Sequence, residues 1–230
     1  MTTSSPIRTI ALIAIISCAI LASAAPARAG GGDGRAATTR HSDRTAIIPA
    51  GLAGAPLLTE WWRQLLIKPA DDPTNPLNSG GCRTVAHATA LVYAGGRCML
   101  RHGTWIFAVG FTVECSNVEG DPFHADTPLE AARCGLREAR AVATEVTLTV
   151  DRGEPVDVLN ARYGTFMLPG RVIIPENPFA GGTPGEIMRY GGYGYAGFIP
   201  PLPVGEHTLH FHIELGDRVF DFDTTITVTR

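Results

Sequence analysis

The cysteines constrain this chain more than any other residue type. Of the five cysteines, Cys18 lies in an apolar N-terminal segment, whereas Cys82, Cys98, Cys115 and Cys134 follow at spacings of 16, 17 and 19 residues. Zinc sites prefer C-x(2–4)-C pairs, which these spacings do not match. Four cysteines in an exported chain are typical of two disulfides. Three pairings are possible, and we expect Cys82–Cys98 and Cys115–Cys134 because the members of each pair are close in sequence and flank a turn or loop.

The N-terminal segment has the pattern of a secretory signal peptide. Arg8 precedes an uncharged apolar run from Ile10 to Ala25, and Ala27-Arg28-Ala29 follows as a small-x-small cleavage site. The run has 16 residues, fewer than the about 20 that a membrane-spanning helix needs. We therefore expect a signal peptide over residues 1–29, a secreted protein and no transmembrane segment in the mature chain.

Cys18 allows an alternative location. The segment Ile15-Ile16-Ser17-Cys18 resembles a bacterial lipobox, in which the cysteine becomes lipid-anchored. The apolar run continues beyond Cys18, however, and this favours cleavage after Ala29.

The charge balance excludes one class of function. Loss of Arg8 and Arg28 with the leader would leave 17 basic and 22 acidic residues, a net charge of −5. A non-specific nucleic-acid binder carries a basic stripe or a high isoelectric point. We therefore expect no nucleic-acid partner.

The rest of the chain is predicted to form a flexible leader over residues 30–56 and a single domain over residues 57–230. Short apolar or alternating runs separated by glycine and proline turns predict strands, and the last two form a pair around Gly216-Asp217. A short helix is predicted over Leu58–Lys68. A second helix should begin at Thr127, where Thr-Pro-Leu-Glu forms a capping box. This pattern predicts a mainly β protein, an antiparallel β-sandwich of the jelly-roll or immunoglobulin-like kind with one capped helix, a short N-terminal helix and two disulfides.

Sequence motifs for enzymes and cofactors are absent. The chain has no G-x-S-x-G elbow, no H-E-x-x-H, no P-loop and no dinucleotide-binding fingerprint between a strand and a helix. Its one lysine, Lys68, precedes a proline and is a poor candidate for a Schiff base. We expect no cofactor and no catalytic residue.

One predicted strand carries a possible metal site. In the run from His207 to Glu214, residues alternate between the two faces of a strand. The apolar residues of this run should face the core, whereas His210, His212 and Glu214 should share the other face. Two histidines in an H-x-H pattern can supply two metal ligands, although a solvated outer face could also carry them.

Aromatic and acidic residues offer further candidates. Tyr190, Tyr193 and Tyr195 alternate with glycines and could stack on a glycan, or the glycines could let another element approach closely. Trp61-Trp62 could form a platform for a sugar or the buried apolar face of a short helix, and the buried helix face is favoured. The acid pairs Asp71-Asp72 and Asp221 with Asp223 could serve a glycosidase, but exposed acids on a terminal hairpin are usually only solubilising.

A series of short motifs follows one another along the chain in an order that is familiar from other proteins. The motifs are Glu60-Trp61-Trp62, Asn75-Pro76-Leu77, Gly81-Cys82, Tyr93-Ala94-Gly95-Gly96, Cys98, Gly103-Thr104, Glu114-Cys115-Ser116, Cys134, the turn at Asp151 and the segment from Pro201 to Leu209. With them the chain resembles, over residues 57–229, a group of exported bacterial proteins, mostly from actinobacteria, to which no activity is assigned. The resemblance implies export and a β-sandwich, and it supplies no catalytic residues.

These patterns predict a secreted, non-catalytic module, an extracellular or envelope-associated binding or structural protein whose ligand could be a cell-envelope component or a glycan. The alternative is a secreted hydrolase that uses the strand-face histidines with a metal, or the acids on a glycoside. Convergence of His210, His212 and a third ligand in a concave site would favour the enzyme, and an open solvated face would favour the module.

Overall fold

Strands form most of the regular structure in the computed structural model, which describes residues 46–85 and 89–230. The predicted signal peptide, Cys18 and most of the predicted leader lie outside the described residues. The described residues belong to one compact unit.

The first sheet has the strand order β1-β10-β5-β3-β2, and β8 and β9 also pair with β10. Its strands are β1 (Ile48–Pro49), β2 (Gly81–Val85), β3 (Thr89–Tyr93), β5 (Trp105–Ser116), β8 (Gly164–Phe166), β9 (Gly170–Ile173) and β10 (Ile187–Ile199).

The second sheet has the order β4-β12-β11-β6-β7. Its strands are β4 (Arg97–Arg101), β6 (Ala143–Val150), β7 (Val156–Asp157), β11 (Gly205–Leu215) and β12 (Arg218–Thr229). The pairs β3–β5 and β4–β12 are parallel, and the other pairs are antiparallel, so the sandwich is mixed rather than purely antiparallel. Three α-helices accompany the sheets: α1 (Ala55–Leu66), α2 (Pro76–Ser79) and α3 (Pro128–Val142).

The two sheets pack through β5, which contacts β6 and β11. Leu209, Phe211 and Ile213 of β11 are buried, as the alternation of the sequence predicts, and the histidines between them face outward. Gly110 of β5 leaves space for the opposite sheet, since a Cβ there would lie 2.8 Å from Val146 Cγ1. The apolar alternation therefore builds the core and leaves the polar side chains of β11 on the outer face.

Both predicted disulfides are present and connect different layers. Cys82–Cys98 joins β2 of the first sheet to β4 of the second, and Cys115–Cys134 joins β5 to α3. Thr127 caps α3 with the predicted reciprocal hydrogen bonds to Glu130.

Helix α1 packs on the first sheet through its tryptophans. Trp61 Nε1 donates to the Val92 carbonyl at 3.0 Å, and Trp62 Nε1 donates to Thr112 Oγ1 at 3.0 Å. Both rings are buried, which confirms the interpretation of a buried helix face rather than an exposed sugar platform.

Two elements begin earlier than the sequence patterns indicate. Ile48–Pro49, inside the predicted leader 30–56, pairs with β10, and the neighbouring Ile47 and Ala50 are buried. Strand β10 begins at Ile187, inside the segment 175–190 that the glycines and prolines mark as a loop. In both cases pairing with a distant strand outweighs local turn composition.

None of the helices in the described part of the chain has the length and apolar character to cross a bilayer.

Candidate metal centre

The outer face of the second sheet brings together acids and histidines from three neighbouring strands. Antiparallel register places His210 of β11 opposite Asp223 of β12, and His212 opposite Asp221. On the other side of β11, Glu214 lies opposite Glu145 of β6. Because directly opposed side chains on one face lie about 5 Å apart, each histidine has a carboxylate within reach.

Aspartates hold both imidazoles through the same ring nitrogen. His212 Nδ1 lies 2.7 Å from Asp221 Oδ1, and His210 Nδ1 lies 2.8 Å from Asp223 Oδ1. Since a carboxylate can only accept, Nδ1 carries the proton and donates it in each pair. Nε2 is then the nitrogen available as a ligand, as in the carboxylate–histidine–metal arrangement of many metalloproteins.

His212 lies in a negative environment. Its hydrogen bond to Asp221 raises the pKa of the imidazole above its ordinary value against the opposing effect of burial, and the charges of Glu145 and Glu214 raise it further. The same carboxylates that favour a proton on His212 also favour a bound cation.

Three side chains form the candidate metal centre: Glu145, His212 and Glu214. Their ligand atoms all lie within 4.8 Å of one another, and His212 Nε2 is 3.6 Å from Glu214 Oε1. A tetrahedral Zn²⁺ with bonds of about 2.1 Å separates its ligand atoms by roughly 3.4 Å, so small side-chain movements would complete such a set.

The structure changes one member of the predicted metal site. It keeps His212 and Glu214 together but leaves His210 out, because the His210 imidazole is directed toward the two aspartates of β12. The His210 Nε2 atom lies instead 3.4 Å from Asp221 Oδ1. Glu145 takes the third position, and sequence inspection missed it because the pairing of β6 with β11 has no local signature. An acid at the start of an alternating strand was the only signal.

The surface around this centre is open. A shallow depression of about 430 Å³ adjoins His210 and is lined by Thr149, Asp151, Arg152, Thr208, His210 and Asp223. The nearby His207 is engaged elsewhere, since its Nδ1 donates to Asp151 at 2.8 Å and its Nε2 lies 2.9 Å from the Pro203 carbonyl.

The three tyrosines proposed for glycan stacking are buried. Tyr190, Tyr193 and Tyr195 are 2%, 4% and 5% exposed, so their rings offer no face to a sugar. The glycines between them have the alternative role of allowing close approach, because a Cβ at Gly191 would lie 3.0 Å from Ala131 Cβ of α3. This corrects the prediction of exposed aromatics.

Three of the four paired acids have partners among the described residues. Asp221 and Asp223 hold the two histidines, while Phe220 and Phe222 stack on the opposite face with ring centroids 6.4 Å apart. Asp72 accepts from the main-chain nitrogen of Thr74 at 2.7 Å and thereby closes a turn.

Comparison of the chain with protein-family models, with curated proteins and with solved structures finds no match in any of the three.

Proposed function

We propose that this protein is an exported, non-catalytic β-sandwich module that binds one divalent transition-metal ion, of which Zn²⁺ is the best fit, on the outer face of its second sheet. The observation that carries the proposal is the orientation of His212: Asp221 holds its Nδ1, and its Nε2 faces Glu214, with Glu145 in the same cluster.

The donor set supports this metal class. One imidazole and two carboxylates supply three protein ligands of types that Zn²⁺ accepts, which is the number found in open zinc sites where water or a ligand holds the fourth position. A set of oxygen donors alone would favour Mg²⁺ or Ca²⁺, and the imidazole shifts the preference toward zinc and its neighbours. The open coordination position on an exposed sheet would let a carboxylate-bearing or other polar group of the cell envelope bind to the metal.

Export is supported by independent observations. The N-terminal residues have the signal-peptide pattern, and two disulfides join distant layers of the fold. Disulfides persist in oxidising compartments and are rare in the cytosol. The resemblance to exported bacterial proteins agrees with this location.

The shape of the surface favours binding over catalysis. Active sites are usually concave and exclude water, whereas the centre lies on an exposed strand face beside a shallow depression. A metal-dependent hydrolase is the alternative, and hydrolysis of activated esters by the zinc-loaded protein, lost in the His212→Gln variant, would support it instead.

Isothermal titration of the metal-free mature protein with Zn²⁺ tests the proposal. We expect one zinc per chain in the wild type and in His210→Gln, and strongly weakened binding in His212→Gln and Glu145→Gln. The His210 variant is a matched control because it changes the same residue type on the same strand outside the centre. Equal zinc affinity in the wild type and in His212→Gln would overturn the assignment, as would an absence of binding in the wild type.

A further inference from the structure

A second cluster of acids lies inside the molecule, at the end of β5. Glu114 is 5% exposed and Ser116 is fully buried, and both share the strand face that carries Thr112. Glu119 follows in the next turn, and its carboxylate oxygen Oε2 is buried. Strand alternation and the turn together bring two carboxyl groups and one hydroxyl into a single buried space.

Three oxygens in this space lack partners. Glu114 Oε1, Ser116 Oγ and Glu119 Oε2 are buried and make no hydrogen bond of regular geometry with any described residue. The Ser116 hydroxyl nevertheless lies within hydrogen-bonding reach of both carboxyls, so the three side chains face one another. Buried polar atoms of native proteins are normally satisfied, so such a group of orphaned oxygens calls for a bound species between them.

The lack of a counter-charge beside Glu114 and Glu119 also indicates that a bound species lies between them. The buried Glu114 carboxyl and the Glu119 carboxyl lie within hydrogen-bonding reach of each other. No arginine or lysine among the described residues forms a salt bridge with either carboxyl. Two carboxylates buried without a counter-charge require either a proton or a cation.

Hydrogen bonds and a disulfide fix the loop after β5 at the end of the strand. Ser116 donates from its main-chain nitrogen to the Phe123 carbonyl at 3.1 Å, and Ala125 donates back to the Ser116 carbonyl at 2.8 Å. The main-chain nitrogen of Arg189 in β10 donates to Asn117 Oδ1 at 2.6 Å, while Cys115 is joined to α3 by its disulfide. These bonds hold the loop over the strand end, so that Glu119 lies against Glu114.

From this arrangement we propose that Glu114, Ser116 and Glu119 form a buried site for one Ca²⁺ ion, distinct from the outer metal centre. The donors are all oxygen, which is the preference of Ca²⁺, and main-chain carbonyls of the loop or water would complete its six to eight ligands. Mg²⁺ fits less well because it demands near-ideal octahedral geometry and dehydrates reluctantly, whereas Ca²⁺ accepts flexible coordination. The ion would neutralise the acid pair and tie the loop to the sandwich.

Luminescence of Tb³⁺, a substitute for Ca²⁺, tests the site on the metal-free mature protein. Excitation of tyrosine and tryptophan should sensitise bound Tb³⁺, because Tyr190 lies close enough to Glu114 for the two groups to interact electrostatically. We expect a saturable signal that Ca²⁺ displaces. The signal should persist in Glu145→Gln, which alters only the outer centre. In Glu114→Gln and Glu119→Gln, the affinity for Tb³⁺ should fall at least tenfold.

Thermal unfolding provides the second readout. At a Ca²⁺ concentration about 100-fold above Kd, we expect the Tm of the wild type and of Glu145→Gln to rise by roughly 5 to 10 °C. The rise should be absent in Glu119→Gln and reduced in Ser116→Ala, which removes one ligand without changing charge. If Ca²⁺ leaves the wild-type Tm unchanged, the pair holds a proton only and the proposal is wrong. An undiminished Tb³⁺ signal in both glutamine variants would place binding elsewhere and would equally overturn it.

Discussion

At the scale of single residues, Asp221 and Asp223 differ in what they support. Both hold a histidine through Nδ1, but only the histidine of Asp221 belongs to the candidate metal centre. Loss of a carboxylate behind a metal-bound histidine usually weakens metal binding about 10- to 100-fold. We therefore expect Asp221→Asn to lower zinc affinity by this factor and Asp223→Asn to leave it nearly unchanged. Competition with a zinc indicator dye measures both, and equal losses would contradict the role of Asp221.

His207 makes stability depend on pH. Burial lowers its pKa, but the hydrogen bonds to Asp151 and to the Pro203 carbonyl outweigh this effect and leave the pKa raised above its ordinary value. A raised folded-state pKa stabilises the fold fully below the unfolded value of about 6.5, and the contribution is lost as the pH rises through the folded value. We expect the stability difference between the wild type and His207→Gln to be largest below about pH 6.5 and to shrink as the pH rises through the raised folded-state pKa of His207.

Urea denaturation at several pH values measures this difference. Because the other histidines are common to both proteins, their titration cancels in the comparison. A difference that stays constant across the range would show that His207 contributes through packing alone.

At the scale of elements, Gly135 sets how closely α3 approaches β10. A Cβ at this position would lie 2.5 Å from the Tyr193 main-chain nitrogen and 2.6 Å from Gly192 Cα. Gly135→Ala should therefore destabilise the protein by about 1–3 kcal/mol, although alanine has a helix propensity about 1 kcal/mol better.

Gly120→Ala is the matched control, because a Cβ there meets nothing within 4 Å and the substitution should change stability by less than about 0.5 kcal/mol. Urea denaturation measures both variants. Equal stability of Gly135→Ala and the wild type would mean that α3 shifts without cost.

The elements themselves were predictable where one local rule decides them. The capping box at Thr127, the terminal hairpin around Gly216 and the alternation of β11 depend on neighbouring residues, and all three are confirmed. The start of β10 at Ile187 and the pairing of Ile48–Pro49 were not predicted, since each is stabilised by a strand distant in sequence.

At the scale of the whole molecule, the disulfides connect layers that otherwise meet only by packing. Each closes a loop of 16 or 19 residues, for which the loss of unfolded-state entropy corresponds to about 3 kcal/mol. Since domains are stabilised by only about 5–15 kcal/mol, reduction of both should remove a large part of the total.

Guanidinium denaturation with and without a reductant measures this effect, and the paired variant Cys82→Ala/Cys98→Ala isolates the bond between the two sheets. We expect a lower midpoint in each case. An unchanged midpoint after full reduction would show that the packed sandwich is sufficient by itself.

The sequence by itself determined the β-rich class, the cap of α3 and the outward direction of His210 and His212, because strand period and capping are local properties. It favoured the observed cysteine pairing among three possible ones through short-range spacing. Only the tertiary structure decided which residues meet. Strand register, which local sequence specifies weakly, brought Glu145 to His212 and left His210 aside. Folding of the loop after β5 brought Glu119 to Glu114, and packing against α1 and β8 buried Tyr190 and Tyr193. These contacts join segments far apart along the chain, and their free energy comes from packing and burial that no short window of sequence contains.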